Sequence, residues 1–162
     1  MSKQEYTLEE ISYSRKEDCR VMEAVLSEWF KNPKVLNFVD PNLTYPFQFK
    51  KWVRLSYKSD QNVIRTTVLK KNDWIIGHIS LRRDDEHALI FHFFIDPDYR
   101  GKGLRKRMVL EMENYASKIG YKTFKTNSLP KNNSAIQFYN SLGYEKEEKQ
   151  IRGSIKMLKK ID

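Results

Sequence analysis

Cysteine is almost missing from this chain of 162 residues. Cys19 stands alone, which excludes an internal disulfide framework and any multi-cysteine metal site. Histidine is nearly as scarce. His78, His87 and His92 lack the spacing of zinc ligands, so no metal is expected. Long hydrophobic runs are absent too. The longest, Ala88 to Ile95, is interrupted by His92 and falls far short of the roughly 20 apolar residues that a membrane span needs. The segment from Met1 to Glu10 has no apolar run of the kind a signal peptide requires. No internal repeat or low-complexity linker is visible. These absences lead us to expect one soluble, cytoplasmic domain over 1–162, with no membrane partner.

What the chain does have is charge. Charged residues make up 31% and hydrophobic ones 40%, a globular profile rather than a disordered one. Lysine plus arginine number 30 against 21 acids, a net charge of +9. Nucleic acid, an acidic substrate, a phosphorylated cofactor and a merely solvated surface are all compatible with that excess. No helix-turn-helix, zinc-finger or RNP-like aromatic pattern is present, which argues against nucleic acid.

Hydrophobic spacing outlines the elements. Residues 5–12 read as a first strand. Val21, Met22, Val25, Leu26, Trp29 and Phe30 recur at three and four, so Lys16 to Phe30 is an amphipathic helix. Asn32-Pro33 stops it, Asp40-Pro41-Asn42 is loop, and Pro46 suits the first turn of a second helix presenting Phe49, Trp52 and Val53. The period then changes to that of strands. Asn62 to Leu69 and Trp74 to Leu81 flank the turn Lys71-Asn72-Asp73. After a charged turn at Arg82 to Glu86, Ala88 to Ile95 reads as a strand buried on both faces, completing an antiparallel meander. Leu104, Met108, Met112, Tyr115 and Ile119 mark a longer helix ending at Gly120. Tyr121 to Asn127 is a strand. Ala135, Ile136, Phe138, Tyr139 and Leu142 mark a compact helix closed by Gly143, and two strands follow around Arg152-Gly153. The order β-α-α-β-β-β-α-β-α-β-β implies an α/β domain with a mixed central sheet flanked by helices.

The richest local signal is Phe93-Phe94-Ile95-Asp96-Pro97-Asp98-Tyr99-Arg100-Gly101-Lys102-Gly103-Leu104. A buried strand runs through a glycine-containing turn straight into a helix. The first turn of a helix carries unpaired N–H groups and the positive end of the dipole, and glycines let a phosphate approach. Arg100, Lys102, Arg105, Lys106 and Arg107 add positive charge, so the turn suits a pyrophosphate. Two well-known phosphate loops do not fit. A Walker loop needs Ser or Thr after Gly-Lys, where Gly103 stands. A dinucleotide fingerprint needs a third glycine where Lys106 stands, and an acid that the strand at Tyr121 to Asn127 lacks.

About 30 residues on comes Asn132-Asn133-Ser134-Ala135-Ile136-Gln137-Phe138-Tyr139-Asn140-Ser141-Leu142-Gly143-Tyr144. Taken together, the two segments resemble the GNAT superfamily of N-acetyltransferases. Arg100 and Gly103 match that family's cofactor motif, in which Arg105 takes a position usually held by Gly or Ala. Asn132, Ala135, Ile136, Phe138, Tyr139, Leu142, Gly143 and Tyr144 match its second motif. The N-terminal half, with Trp29-Phe30, Asn32-Pro33 and Ile76-Gly77-His78-Ile79, resembles the ribosomal-protein acetylating (RimJ/RimL-type) branch more loosely.

The resemblance implies a GNAT-like fold and transfer of acetyl from acetyl-CoA to a primary amine by direct attack. The acceptor would be a small molecule, a peptide or a protein N-terminus. Pantetheine would lie along Phe93, Phe94 and Ile95, and the pyrophosphate on Arg100, Gly101, Lys102, Gly103, Leu104 and Arg105. We expect Arg105 to turn outward and pair with the phosphates. Asn132 would contact the cofactor arm. Tyr139 would lie near the sulfur as proton donor, although its place between Phe138 and Leu142 also suits plain core. The base is open among Glu86, His87, His92 and Asp96, and water-mediated deprotonation is a further route. For His92 a buried, hydrogen-bonded core role is the stronger expectation, with alternation placing it opposite Phe91 and Phe93. Cys19 reads as packing. The segment from Lys31 to Tyr57 should form much of the acceptor wall, with Phe38, Tyr45, Phe47 and Trp52 as lining candidates. A homodimer is compatible with this reading. The competing function is a non-catalytic acyl-CoA-binding or regulatory module on the same fold.

Overall fold

The structure, a computed structural model, describes residues 6–58, 61–150 and 153–161. Strand β1 (Tyr6–Ile11) is followed by helix α1 (Lys16–Trp29), then α2 (Pro33–Val39) and α3 (Phe49–Val53), which continues as a π turn over Arg54–Lys58. The meander β2 (Val63–Lys71), β3 (Trp74–Asp84) and β4 (His87–Ile95) comes next. Helix α4 (Leu104–Lys118), β5 (Thr123–Ser128), α5 (Asn133–Ser141), β6 (Glu145–Lys146) and β7 (Ile155–Lys160) complete the chain.

The seven strands form one sheet in the order β1-β2-β3-β4-β5-β7-β6, and only the β4–β5 pair is parallel. The expected mixed sheet and its β2–β3–β4 meander are present. Helix α4 supplies the crossover that a parallel neighbour requires. Its buried side chains, Leu104, Met108, Val109, Met112 and Ala116, pack on one face of the sheet with Ile79, Leu81, Ile90 and Phe124. Gly77 lets α4 come close, since a Cβ there would sit 3.0 Å from the Met108 sulfur. The other face is covered by α1, α2 and α3 through Met22, Leu26, Phe30, Leu36 and Trp52. With both faces covered, the apolar run of β4 is buried as expected.

Three local expectations change. Asn32-Pro33 ends α1 but also starts another helix, for Asn32 caps α2 by accepting the Lys34 N–H at 2.9 Å and Pro33 takes the first position, which needs no N–H. Pro46 stays in the loop ahead of α3, whose N-cap is Gln48. Helix α4 ends at Gly120 as expected, with φ 106° there just past the C-cap Ile119, but Ile119 is exposed and does not belong to the apolar face. Of the expected turn at Arg152-Gly153, Arg152 lies outside the described residues. No helix among the described residues is long and apolar enough to cross a membrane.

Candidate active site

Strands β4 and β5 pair only at Ala88, Leu89 and Ile90, opposite Phe124, Lys125 and Thr126. Beyond Ile90 they diverge, and the edge of β4 from Phe91 to Ile95 opens onto a cleft of about 680 Å³. The divergence begins beside a β-bulge. His78 pairs with Phe94 and Ser80 with Phe91, so His92 and Phe93 together stand against Ile79. The extra residue is accommodated by His92 at φ 49°, in the left-handed region.

The bulge shifts the alternation of β4. Phe93 packs towards Phe138 of α5, on the α4 side. Phe94 turns to Trp29 and Phe30, on the α1 side. His92 lies opposite Phe93 as expected, but not opposite Phe91. The rings of Phe91 and His92 lie 5.8 and 5.6 Å from the same Tyr57 ring. Simple alternation fails here because the bulge inserts one residue into the period of two.

Beyond the strand, Gly103 adopts φ 77° and caps α4 without a side chain. A Cβ on Gly101 or Gly103 would meet nothing within 4 Å, so their backbone angle rather than crowding calls for glycine. The first turn of α4 begins directly after this glycine turn, between Arg100 and Arg105 of the cleft lining, and a helix start of this kind suits a bound anion. Arg100 folds back, its guanidinium 3.5 Å from the Ile95 carbonyl. Arg105 lines the cleft, with its guanidinium carbon 4.5 Å from the centroid of the Phe138 ring. Burial and then the nearby Arg100 charge press on its protonated form, while Tyr139 favours it.

Tyr139 is buried in the wall formed by α5, its ring 5.3 Å from both Phe138 and Tyr144. Among the described residues its hydroxyl has no hydrogen-bond partner. Burial pushes the phenol well above its usual range, with Arg105 pulling the other way, so it stays protonated at neutral pH. Asn132 lines the cleft and caps α5, accepting the Ala135 N–H at 3.3 Å. Of the expected site residues, Phe93, Phe94, Ile95, Arg100, Arg105, Asn132 and Tyr139 line one cleft. Gly101, Lys102 and Gly103 form the turn at its rim, and Leu104 points into the core.

The α1-side wall is less legible in the sequence. Of Phe38, Tyr45, Phe47 and Trp52, only Phe38 lines the cleft. Tyr45 is exposed, Phe47 packs on Phe30, and Trp52 is wholly buried beneath His92, stacked at 3.7 Å. Of the base candidates, only His92 lies in the cleft. His87 bonds Thr123, and Asp96 accepts the Asp98 N–H. Sequence reasoning missed the residue that His92 meets: Asp40, at the end of α2, whose Oδ2 lies 2.7 Å from His92 Nε2. The Asp40-Pro41-Asn42 segment carries ordinary turn chemistry, and nothing in it signals a partner 52 positions away.

Residues 21–144 match the model of the Acetyltransferase (GNAT) family. An uncharacterized N-acetyltransferase of Methanocaldococcus jannaschii is 30% identical over 126 residues, 72% of this chain. The chain spans 55% of that relative's length. Two solved structures share the fold at low identity. The ribosomal-protein-S18-alanine N-acetyltransferase of Escherichia coli superposes with a TM-score of 0.70 at 17% identity, covering 97% of this chain and 94% of that one. The spermidine N-acetyltransferase of Vibrio cholerae, in complex with CoA and spermine, gives 0.70 at 18%, covering 94% of each. The motifs at Arg100–Gly103 and Asn132–Tyr144, their meeting at one cleft, and the match over residues 21–144 agree that this chain belongs to the acetyltransferase (GNAT) family.

Proposed function

We propose that the protein is an acetyl-CoA-dependent N-acetyltransferase that delivers acetyl to a primary amine by direct attack. The observation that carries this reading is the opening between β4 and β5, flanked by the helix start after Gly103 and by the Tyr139 phenol. The residues present suit acetyl-CoA. The free edge at Phe93 to Ile95 offers backbone groups to an amide-bearing arm. The helix-start amides after Gly103, with Arg100 and Arg105, suit its phosphates. When bound, acetyl-CoA supplies an activated thioester.

The chain's own part is then positioning and proton handling. The slot beside Phe93 to Ile95 would receive the thioester arm, and the apolar rings of Phe93 and Phe138 limit water there. Tyr139, kept neutral by burial, holds a proton for the departing sulfur. The two neighbours' names specify acceptors as different as a protein's alanine and a polyamine, so the acceptor class is a primary amine of a small molecule, peptide or protein N-terminus.

The test is a panel of primary amines incubated with acetyl-CoA, with release of free CoA as the readout and acetyl-CoA binding measured by calorimetry. Tight binding with amine-dependent CoA release is expected. Binding without release from any amine would leave a non-catalytic acyl-CoA module. Absence of binding would overturn the cofactor assignment.

A further inference from the structure

On the α1 side of the slot a buried polar cluster meets the cleft. The Asp40 and His92 side chains are only 9% and 5% exposed, and both residues line the cleft. An ionised carboxylate only accepts, so His92 presents Nε2–H to Asp40 Oδ2, and its Nδ1 is left as a lone pair. Tyr57, in the π turn, must then donate to that Nδ1 at 2.9 Å. Ser80 in turn donates to the Tyr57 oxygen at 2.7 Å and lies 3.0 Å from Thr66. Trp52 stacks under the imidazole at 3.7 Å and 16° and sets its plane. The imidazole is held on every side, with no free nitrogen for a ligand. Asp40 is different. Its Oδ1 accepts the Asn42 N–H at 3.0 Å and its Oδ2 meets His92, so each oxygen keeps a lone pair.

We propose that Asp40 receives the proton of the acceptor's ammonium group, with His92 and Tyr57 as positioning residues that aim the carboxylate into the slot. This rests on the transferase reading above and names where its nucleophile docks. The placement suits direct attack. Asp40 and His92 belong to the α1 face of the sheet and Tyr139 to the α4 face, and the divergence of β4 from β5 joins the two. An amine entering from one side therefore finds a proton acceptor, and a sulfur leaving on the other finds a proton donor.

The proton count closes. R–NH3⁺ gives one proton to Asp40, freeing its lone pair. That pair forms the N–C bond at the thioester carbonyl carbon, and the C–S bond breaks with its electrons going to sulfur. The sulfur takes the Tyr139 proton, and the second proton shed by nitrogen restores the phenol. The Asp40 proton leaves to solvent through the cleft. Around His92 the charged or titratable groups are Asp40 from α2, Tyr57 from the π turn, and Arg82 and His78 from β3. Burial and then Asp40 oppose each other on His92, and the balance keeps it below its ordinary value and neutral. Asp40 is thus the acidic side chain in the cleft lining, backed by His92, while Arg82, Arg100 and Arg105 are the cations of the same lining.

The test uses two small amines, ethylamine and 2,2,2-trifluoroethylamine, the second of which is largely neutral near pH 7 and needs no base. CoA release is measured at saturating acetyl-CoA for the wild type, Asp40→Asn, His92→Gln and Tyr57→Phe. With ethylamine, Asp40→Asn should lose about 10²–10⁴-fold. With trifluoroethylamine it should lose less than about tenfold. The His92 and Tyr57 variants should show intermediate losses and a displaced acidic limb in the pH profile. Equal losses with both amines, or none, would overturn the proposal. Should Asp40→Asn fail to fold, the wild-type profile decides: an acidic limb that is the same for ethylamine and 2-methoxyethylamine supports an enzyme base, and one that moves with the amine removes it. Wild-type protein that binds acetyl-CoA yet releases no CoA with any amine sinks the transferase reading itself, and with it this one.

Discussion

Replacing Tyr139 by Phe separates a working phenol from a packed ring. The ring is buried, with aromatic neighbours at 5.3 Å on two sides, and those contacts survive the change. The hydroxyl meets no partner among the described residues, so its loss removes no protein hydrogen bond and should move stability by less than about 1 kcal/mol. Tyr139→Ala, by contrast, empties the site and should cost roughly 3–5 kcal/mol, as other large aromatic truncations do. If the phenol protonates the departing sulfur, Tyr139→Phe should lower kcat by about 10²–10⁴-fold, or about 3–5 kcal/mol of barrier. Affinity for acetyl-CoA should change little. The pH profile adds a second check. Burial raises this phenol above its usual range, so the acid form persists and kcat should not fall on its account up to pH about 10. Thermal melts, calorimetry with acetyl-CoA and single-turnover CoA release should be measured on the same preparation. A folded Tyr139→Phe protein with wild-type turnover, chemistry being rate-limiting, would refute the reasoning and leave Tyr139 a core residue.

Three further outcomes are expected. Gly103→Ala should destabilise by about 1–2 kcal/mol from backbone strain alone, since the added Cβ meets nothing, whereas Gly103→Glu should also sharply weaken acetyl-CoA binding; equal affinities of the two variants by calorimetry would remove the phosphate assignment. Glu113 accepts from Tyr144 at 2.7 Å and from Lys159 at 2.9 Å in a largely buried triad, so Glu113→Ala should cost on the order of 3 kcal/mol in urea denaturation, and a loss below about 1 kcal/mol would show the triad to be dispensable. Burial lowers His78 from 6.5 to about 3, so the unfolded chain binds the extra proton first: stability is intact above pH 6.5 and declines by up to about 1.4 kcal/mol per unit as pH falls towards 3, and the decline should be shallower in His78→Gln.

Sequence alone was enough for what depends on near neighbours. Hydrophobic period distinguished the strands of the meander from α4 and α5, because side-chain direction repeats every two or 3.6 residues wherever the backbone is regular. The turn from Phe93 to Leu104 and the segment from Asn132 to Tyr144 were legible because each is a continuous stretch whose chemistry is set by its own order. Periodicity put Ile119 on the apolar face although it is the exposed C-cap of α4, and turn chemistry hid α2, since Asn-Pro both ends one helix and begins another. The acceptor side belonged to the tertiary structure. Whether Phe38 or Trp52 faces the cleft depends on how α2 and α3 lie on the sheet, and both read as apolar positions until that packing is known. The bulge at His92 follows from its register against Ile79, which no local pattern announces. Asp40 and His92 are 52 residues apart, and only the covering of the sheet by α2 brings carboxylate and imidazole to 2.7 Å, largely buried at the wall of the cleft. A pairing of that kind is a property of the folded surface, because its energy arises when two distant segments are desolvated together.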